Sequence, residues 1–543
     1  VIVIEKENQL GGTTAWSGGW LWVPRNPLAT AAGIIEDIDA PRTYLKAELG
    51  NGYDANLCNT FLEHAPRMVA FFKDYTALQF IDGNLMPDFH DQSPGAGQGG
   101  RSVCAAPFDG RELGPRLKDL KPPLDEISPL GMGIASGADL RHFLFATRKW
   151  ASFVHAAKRI TRHSIDLARH QRGMHLTNGN ALVARLLKSA DDRRVRIMTA
   201  TPARKLITNS GRVVGVVASP PEASFEIRAK RGVVLAAGGF PHDLKRKSEM
   251  FPHAPTGREH HSAAPDSNTG DGLRLGEAVG GYVRQDLTHA GAWAPVSLVP
   301  RADGTVGRFP HLIERAKPGL VMVLKSGKRF ANEADSYHDL MQALFRASPE
   351  NAPVEAWMIC DTPFRRRYGL GRVRPLPFLV TPWLRNGYLK RGATIAELAS
   401  ACGIDANNLS TTITTYNSAA RDGKDDEFHR GESAYNKIQG EAGGLNPCLA
   451  PIERGPFYAV KIVPGSLGTF AGLKTDDRAR VLDKSGASIL GLYAVGNDMS
   501  SIMAGRYPAG GITLGPGMTF AFIAAHDAAG IALSDDTLES HPR

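Results

Sequence analysis

This sequence has few cysteines and no long apolar run. Its five cysteines, which form no C-x-x-C pair, are Cys58, Cys104, Cys360, Cys402 and Cys448. Such scattered positions argue against a disulfide framework and against a zinc site, and they fit a reducing compartment. No segment reaches the roughly 18 consecutive apolar residues that a membrane-spanning helix needs. We therefore expect a cytoplasmic protein without a metal centre or a membrane span.

Charge and composition set the next limits. The 543 residues include 64 Lys and Arg against 55 Asp and Glu, a net charge of +9, and 42% of them are hydrophobic. A chain of this composition buries enough apolar surface to fold, and it exceeds the roughly 250–300 residues that one core organises. Its basic residues are dispersed and follow no nucleic-acid-binding motif. The sequence thus predicts an enzyme-like protein of two or more lobes that does not bind nucleic acid.

Residues 139–171 form a basic stretch that also carries apolar residues at helical spacing. The apolar residues are Leu140, Phe143, Leu144, Trp150, Phe153, Val154 and Ile160. This pattern favours a helix whose apolar side faces the core and whose basic side faces solvent. The second interpretation is a helix that lies on a membrane surface, which would make the protein membrane-associated.

Other segments carry secondary-structure signals. Apolar residues recur at helical spacing over 40–75, whereas 195–198 and 212–217 read as short strands. The Asn-Ser-Gly sequence at 209–211 is a hairpin-turn signal before the second strand.

The first five residues, Val-Ile-Val-Ile-Glu, predict a buried strand that ends in an acid. In a dinucleotide-binding βαβ unit, the acid at the end of the second strand accepts hydrogen bonds from the adenosine ribose, and Glu5 fits that role. The G-x-G-x-x-G turn of such a unit belongs about 20 residues earlier. The pattern therefore predicts a dinucleotide-binding domain that lacks its first βα unit, or else an ordinary buried strand.

Three glycine-rich segments would let the backbone approach a flat cofactor closely. They span 6–19, 232–240 and 505–520, and the last follows a Gly-Asn-Asp turn at 496–498. Hydroxyls in the first segment can bind phosphate, and the third opens into a predicted helix over 520–529 whose N-terminus favours negative charge. The candidate cofactor-binding residues are Glu5, Lys6, Gly11, Gly12, Thr13, Thr14, Ser17, Gly18, Ala236, Gly238, Gly239, Gly496, Asn497, Thr513 and Leu514.

The run K-E-N-Q-L-G-G-T-T-A-W-S-G-G at 6–19 closely resembles the FAD-wrapping loop of one flavoprotein family. That family includes fumarate reductase flavoproteins and 3-ketosteroid dehydrogenases, and the segments 232–240 and 267–272 are also similar to it. The resemblance implies an α/β fold with a discontinuous Rossmann-like FAD-binding domain, at 1–280 and 456–543, and an inserted α+β catalytic cap at 281–455. No histidine stands in the loop, so FAD is expected to bind non-covalently.

The segments 327–337 and 505–520 resemble the 3-ketosteroid Δ1-dehydrogenase branch of that family. The resemblance implies that the Tyr507 hydroxyl and the Gly511 N–H polarise the C3 carbonyl of the substrate. It further implies that Tyr337 takes the C2 proton while the C1 hydrogen leaves as hydride to flavin N5. The implied substrate is a 3-ketosteroid or a similar small apolar ketone, and the electron acceptor stays unidentified.

Phe89, in the run Met-Pro-Asp-Phe at 86–89, stands where this branch carries an assisting tyrosine. A phenylalanine cannot relay a proton, so the ring position that is oxidised stays open. The chemistry itself needs a stabilised enolate oxygen, which a phenol and a backbone N–H can supply. Because an unperturbed phenol has a pKa of about 10, Tyr337 would need a depressed pKa or a group to which it hands its proton.

Two other functions stay compatible with the sequence. A fumarate- or succinate-type enzyme clamps two carboxylates with Arg and His groups. The candidates for that clamp are Arg315, Arg506, His260, His261 and His311. Against it, no arginine follows the Asn-Glu sequence at 332–333, where that branch carries one. The other alternative is an inactive chain that binds flavin poorly because its first βα unit is missing.

Overall fold

The computed structural model of the protein describes residues 1–220, 223–350, 352–375 and 379–533. Before residue 281 the strands are β1 (Ile2–Ile4), β2 (Trp20–Trp22), β3 (Phe80–Asp82), β4 (Ser102–Ala105), β5 (Phe108–Asp109), β6 (His175–Leu176), β7 (Arg196–Met198), β8 (Ala203–Asn209), β9 (Arg212–Ala218), β10 (Phe225–Arg228) and β11 (Val233–Leu235). The α-helices of this part are α1 (Gly12–Trp16), α2 (Pro27–Ala31), α3 (Asp39–Leu49), α4 (Ala55–Tyr75), α5 (Ala138–Phe145), α6 (Trp150–His170), α7 (Asn178–Asp192), α8 (Leu244–Met250) and α9 (Asp271–Glu277).

The rest of the chain also mixes helices and strands. Its strands are β12 (Gly291–Pro300), β13 (Val306–Pro310), β14 (Leu320–Val323), β15 (Ala356–Cys360), β16 (Leu389–Gly392), β17 (Phe457–Thr469), β18 (Arg480–Leu482) and β19 (Ser488–Ala494). Its α-helices are α10 (Tyr337–Ala347), α11 (Thr362–Tyr368), α12 (Thr381–Arg385), α13 (Ile395–Cys402), α14 (Ala406–Asp422), α15 (Ala434–Gln439) and α16 (Leu514–Ala529). The mixed order agrees with the predicted α/β class.

Parallel pairing brings distant parts of the chain together. β1 pairs with β7, which holds the N-terminal strand against residues 196–198. β11 pairs with β19, whose other neighbour is β18, so the end of the chain joins the sheet of the first part. Parallel strands of this kind place the loops that follow them at one edge, where α/β proteins bind their ligands.

The hairpin signal before residue 212 is confirmed. β8 and β9 are antiparallel, and the turn between them contains Ser210 with φ +47° and Gly211 with φ +76°. Two positive φ values suit a two-residue turn whose twist matches that of the strands. The predicted strands at 195–198 and 212–217 correspond to β7 and β9.

β17 begins at Phe457, next to residue 456, where the predicted second part of the FAD-binding domain starts. It is the central strand of a six-stranded sheet in the order β13-β12-β17-β15-β14, and it also pairs with β16. Its hydrogen bonds therefore join it to strands of the predicted inserted region, and the border between the two regions stays a prediction. The sequence of a buried strand shows that it is buried but not which sheet it joins.

One apolar core extends from the first part of the chain into the inserted region. It contains Trp22 and Phe61, whose rings stack 6.0 Å apart, together with Trp293 of β12 and Leu340 of α10. Because protein interiors are close-packed, this shared core holds the two parts in a fixed relation. The two predicted catalytic tyrosines, Tyr337 and Tyr507, belong to the same cluster.

The helical prediction over 40–75 is confirmed by α3 and α4. The Asp54 carboxylate accepts the N–H groups of Asn56 and Leu57 and so caps α4. The core-facing interpretation of 139–171 is wrong for α6, because Trp150 is 78% exposed and Phe153 is 50% exposed. Across the residues that the structure describes, no helix is both long and apolar enough to cross a membrane.

Candidate active site

A cavity of about 2710 Å³ lies where the glycine-rich loops meet the inserted region. Its predominantly apolar wall includes residues 1–7, 11–20 and 228–238, and the inserted region contributes Tyr337 and Tyr435. A pocket for one small ligand measures roughly 300–1,000 Å³. This cavity therefore has room for a dinucleotide and for a second ligand beside it.

All of the predicted site residues except Gly239 line this cavity. Those in the wall are Glu5, Lys6, Gly11, Gly12, Thr13, Thr14, Ser17, Gly18, Ala236, Gly238, Tyr337, Gly496, Asn497, Tyr507, Gly511, Thr513 and Leu514. Gly239 stands behind the wall, where a Cβ atom would come within 2.1 Å of the Thr469 hydroxyl. This close contact requires a glycine at 239, and the role of Gly239 in binding the cofactor stays a prediction.

The end of β1 is fixed by hydrogen bonds. The Glu5 carboxylate accepts the Glu7 N–H at 2.9 Å, and burial raises the pKa of Glu5 above its ordinary value. The Lys6 ammonium forms an ion pair with Asp271 and donates to the Thr269 hydroxyl at 2.9 Å. Lys6 thus ties the strand to the start of α9 at the edge of the cavity.

Asn268 joins the first turn of α1 to the loop after β11. Its amide nitrogen donates to the Thr13 hydroxyl at 2.9 Å and to the Gly238 carbonyl at 3.2 Å. Gly238 has φ +90°, and a Cβ atom there would lie 2.7 Å from that nitrogen. The sequence analysis did not name Asn268, although it lies in the segment 267–272 that resembles the family.

Asp498 fixes the loop that carries Ala236 and Gly238. Its two carboxylate oxygens accept the N–H groups of Ala237 and Gly239. Burial raises the pKa of Asp498 to about 6, although these hydrogen bonds act in the opposite direction. The Gly-Asn-Asp turn therefore has two roles. Its aspartate holds this loop in place, and its other two residues, Gly496 and Asn497, lie in the cavity wall.

Gly511 presents a backbone donor to the cavity. Its φ is +101°, and a Cβ atom there would lie 2.5 Å from the Trp22 nitrogen, so only glycine fits. Its carbonyl accepts the Trp22 N–H at 3.0 Å, whereas its own N–H donates to no acceptor within the described residues. Because Gly511 is half-buried in the cavity wall, its N–H is a candidate donor to a ligand oxygen.

Tyr507 precedes Gly511 on the same wall. The next residue, Pro508, fixes the loop because its carbonyl accepts the Tyr44 hydroxyl at 2.6 Å and the Phe89 N–H at 2.9 Å. Burial raises the pKa of Tyr507, and hydrogen bonds with Tyr337 and Thr513 offset part of that rise. Tyr507 is therefore a neutral phenol that can donate a hydrogen bond to a ligand.

Tyr337 is the first residue of α10 and faces Tyr507. The two ring centroids are 4.9 Å apart, with the planes at 76°. Burial raises the pKa of Tyr337 well above its ordinary value, the neighbouring Tyr507 raises it further, and the charge of Arg315 opposes the rise. A depressed pKa, the first of the two options from the sequence, is therefore wrong, and a partner that stabilises the phenolate is required.

Tyr435 is a functional candidate that the sequence analysis missed. It lies in α15, lines the cavity, and its ring centroid is 4.4 Å from that of Phe89. Phe89 also contacts the rings of Tyr337 at 5.7 Å and Tyr507 at 5.8 Å. The three tyrosines thus surround Phe89. Nothing in the sequence around Tyr435 marks it, because α15 is short and lies in the region that resembles the family least.

Arg315 lies fully buried behind Tyr435. Its Nη1 donates to the carbonyls of Glu333 and Asp335, whereas Nε and Nη2 have no acceptor within standard hydrogen-bond geometry among the described residues. Burial raises the pKa of Tyr435 to about 12, and the charge of Arg315 and a hydrogen bond from it act in the opposite direction. A buried cation is therefore directed at the hydroxyl of Tyr435.

His90 holds the Phe89 segment against α10. Its two ring nitrogens contact the carboxylates of Glu48, at 2.5 Å, and Asp339, at 2.6 Å. Burial alone would lower the pKa of His90, but the hydrogen bonds and charges of these two carboxylates raise it to about 10. The protonated imidazole therefore bridges the two sides of the cavity next to Phe89 and Tyr337.

The Asn-Glu sequence before Tyr337 has a structural role. Glu333 is fully buried between Arg329, at 2.8 Å, and Arg430, at 2.9 Å, and Arg329 also pairs with Asp425. Burial would raise the pKa of Glu333, but the two arginines lower it to about 2. This network of charges fixes the backbone that leads into Tyr337.

The carboxylate clamp of the alternative function is not assembled. None of its candidates lies in the described wall of the cavity. Arg506 is exposed, whereas His260 binds Ser466 at 2.9 Å and His311 binds Ser297 at 2.7 Å. These five candidates therefore form no carboxylate clamp in the described wall of the cavity.

Comparison with known proteins agrees with this geometry. The family model described as FAD binding domain matches residues 1–514. The chain belongs to this family. FAD is its cofactor, and it is an FAD-dependent oxidoreductase of the group that acts on CH–CH bonds.

Relatives that match nearly the whole chain include ketone dehydrogenases. A 4-oxocyclohex-2-ene-1-carboxylate 5-dehydrogenase of Sinomonas cyclohexanicum is 37% identical over 98% of this chain and 90% of its own. A 3-oxosteroid 1-dehydrogenase of Mycolicibacterium smegmatis is 34% identical over 98% and 93%. The crystal structure of a 3-ketosteroid Δ1-dehydrogenase of Sterolibacterium denitrificans, in complex with 1,4-androstadiene-3,17-dione, superposes with a TM-score of 0.90 at 34% identity, covering 98% of this chain and 95% of that one.

Proposed function

We propose that this protein dehydrogenates a cyclic ketone beside its carbonyl group, with FAD as the oxidant. One observation carries the proposal: Tyr507 and Gly511 share a cavity with Tyr337, which comes from the inserted region and faces Tyr507 at 4.9 Å between ring centroids. A ring ketone bound there has two donors for its oxygen and a phenol for the hydrogen on the adjacent carbon.

The wall fits a non-covalently bound FAD. The start of α16, with Thr513 and Leu514, lies in the wall, and a helix N-terminus favours negative charge. The buried Thr177 hydroxyl, also in the wall, has no partner among the described residues. Residues 11–20 contain no histidine that could form a covalent link. Bound FAD would supply the hydride acceptor.

Tyr507 and Gly511 would stabilise the oxygen of the ketone. Loss of the adjacent proton leaves negative charge on that oxygen, and the Tyr507 hydroxyl and the Gly511 N–H would both donate to it. Donors that are fixed before the reaction lower the barrier, and each contributes a factor of about 10²–10³ to the rate. The close contact of Gly511 with Trp22 keeps its N–H in place.

Tyr337 would take the proton from the carbon next to the carbonyl. Its ionised oxygen accepts that proton, a carbon–carbon double bond forms, and the hydrogen on the next carbon leaves with both electrons. The raised pKa of Tyr337 leaves few molecules ionised at neutral pH. Tyr435 would therefore assist by donating a hydrogen bond to the ionised oxygen of Tyr337. The positive charge of Arg315 would strengthen that donor.

A 3-ketosteroid or a similar apolar cyclic ketone fits the site best. The cavity is predominantly apolar and far larger than one small ligand needs. The names of the relatives give a steroid ketone in one case and a cyclohexenone carboxylate in the other, and both contain a ring ketone. Phe89 adds an apolar ring beside the three tyrosines.

Anaerobic reduction of the FAD-loaded protein tests the proposal. The panel contains 3-ketosteroids of differing ring saturation, simple cyclohexanones with and without a carboxylate, and succinate. We expect a steroid or another apolar ring ketone to abolish the visible flavin absorbance. Reduction by succinate alone, or by none of the ketones, would overturn the proposal, whereas reduction only by carboxylated ketones would correct the substrate class.

A further inference from the structure

Helix α6 exposes an apolar surface that the proposed reaction does not use. Its large exposed apolar residues are Trp150 (78% exposed), Phe153 (50%), Val154 (46%), Ile160 (50%) and Ile165 (45%). We call these five residues the outer face, because at 100° per residue they fall within one arc of the helix. The Trp150 and Phe153 rings stack 5.4 Å apart.

The opposite side of α6 attaches to the protein through polar groups. Arg159 donates to the Gly133 carbonyl at 2.8 Å, and His163 contacts the Leu130 carbonyl at 3.0 Å. Asp166 pairs with Arg111 and accepts the Met174 N–H at 3.2 Å. An amphipathic helix of a globular protein normally turns its apolar side to the core. In α6 the polar side faces the protein and the apolar side faces solvent. Packing within the chain therefore does not explain why the outer face is apolar.

The exposed flank of α6 is basic. Lys158, Arg162 and Arg169 are exposed, and the single acid of the helix, Asp166, points inward. Within the described parts of the chain, neither Lys158 nor Arg169 forms an ion pair. A helix with exposed aromatic residues and a basic flank is typical of proteins that lie on anionic membranes.

The segment just before the outer face lines the cavity. Leu140, Leu144 and Phe145 of α5, together with Lys149 just before α6, lie in the wall of the cavity that contains Tyr337 and Tyr507. The His142 ring of α5 stacks on the His155 ring of α6, with 4.5 Å between the centroids. The outer face is therefore on a helix that packs against the α5 side of the cavity.

We propose that the outer face of α6 docks on the surface of an anionic lipid bilayer and holds the α5 side of the cavity near that surface. The aromatic pair enters the interface while Lys158, Arg162 and Arg169 contact the acidic headgroups. A second copy of the chain suits the face less well, because two such helices would bring their basic flanks together. Docking does not depend on the proposed function, although an apolar ketone substrate would give it a purpose.

Vesicle sedimentation of the FAD-loaded full chain tests the proposal. The vesicles contain equal parts of phosphatidylcholine and phosphatidylglycerol, and the protein should sediment with them at low salt. The double variant Trp150→Ser/Phe153→Ser should bind these vesicles with an affinity at least about tenfold lower. Lys158→Glu/Arg169→Glu should weaken binding to these vesicles through charge alone. Leu490→Ser, at a residue of β19 that is 55% exposed, is the matched control and should bind like the parent.

Absence of binding by the parent, or unchanged binding by Trp150→Ser/Phe153→Ser, would overturn the proposal. The proposal would also be overturned if the parent formed an oligomer, the variant were monomeric and neither protein bound vesicles. The outer face would then join two copies of the chain. The variant should keep its melting temperature and its rate of flavin reduction by dissolved ketone. Failure of the docking proposal is therefore distinguishable from failure of the proposed function.

Discussion

The two walls of the cavity are built in different ways. The FAD-binding wall consists mainly of backbone and small residues, such as Gly11, Gly238 and Gly511, held by close packing. The wall from the inserted region includes the side chains of Tyr337 and Tyr435, and buried charges lie behind them. A flat cofactor needs close backbone approach, whereas proton transfer needs hydroxyls in fixed positions. Substitutions should therefore affect the two walls differently.

The largest effect is expected from the charge network behind Tyr337. Glu333→Gln leaves Arg329 and Arg430 buried with one fewer carboxylate, and breaking a buried ion pair in this way costs about 3–5 kcal/mol. The free energy of unfolding, measured with denaturant, should fall by that amount. Glu427→Gln is the control, because Glu427 is 57% exposed at 3.9 Å from the same Arg329. Equal losses in the two variants would show that the network does not support the tyrosine wall.

The next effect is expected at the carbonyl-binding wall. Tyr507→Phe removes one of two donors to the developing oxyanion, so kcat for a ring ketone should fall by about 10²-fold or more while FAD stays bound. Steady-state kinetics and the flavin absorbance of the purified protein measure the two quantities. Tyr282→Phe, at a half-buried tyrosine outside the cavity, should leave kcat unchanged. An unchanged rate in Tyr507→Phe would refute its role as a donor.

A smaller effect is expected from the assisting tyrosine. Tyr435→Phe should lower kcat by about tenfold, which is less than the roughly 10²–10⁴-fold contributed by groups that transfer the proton directly. Because the phenolate of Tyr337 would lose a donor, the alkaline rise of kcat should move to higher pH while KM changes little. Tyr416→Phe is the control, since Tyr416 is a buried tyrosine of the same region outside the cavity wall. A change in KM alone would mean that Tyr435 only shapes the pocket.

The smallest effect is expected at His90. Its pKa rises from the ordinary 6.5 to about 10, so its contribution to stability is full below pH 6.5 and disappears as pH rises through 10. Because the ring is one third exposed, we expect about 1 kcal/mol at neutral pH. The difference in unfolding free energy between the parent and His90→Gln should shrink toward zero above pH 10. A difference independent of pH would show that the charge on His90 does not act.

The FAD-binding wall could be predicted from sequence because its function depends on glycines and small hydroxyl residues in contiguous runs. Gly11, Thr13 and Gly238 all lie in the cavity wall where the sequence predicted them. Gly239 shows the limit of that approach, because the sequence does not reveal that its close contact with Thr469 also requires a glycine.

The tyrosine wall could be predicted only in part. Tyr337 follows a recognisable run, but Tyr435 joins it through contacts with Phe89 and Arg315, which lie far from Tyr435 in the chain. The same holds for β17, whose partners are set by tertiary pairing, and for α6. Helical periodicity shows that α6 has an apolar side, but it cannot show that polar bonds from Arg159 and Asp166 turn that side outward.

Single-turnover reduction of bound FAD by a 3-ketosteroid, without oxygen, tests the central claim most directly. The account predicts that Tyr337→Phe keeps its FAD and binds the ketone, yet reduces the flavin at least about 10²-fold more slowly than the parent. It also predicts that the parent rate rises with pH, because only the ionised Tyr337 accepts the proton. A Tyr337→Phe protein that reduces its flavin at the parent rate would contradict the account.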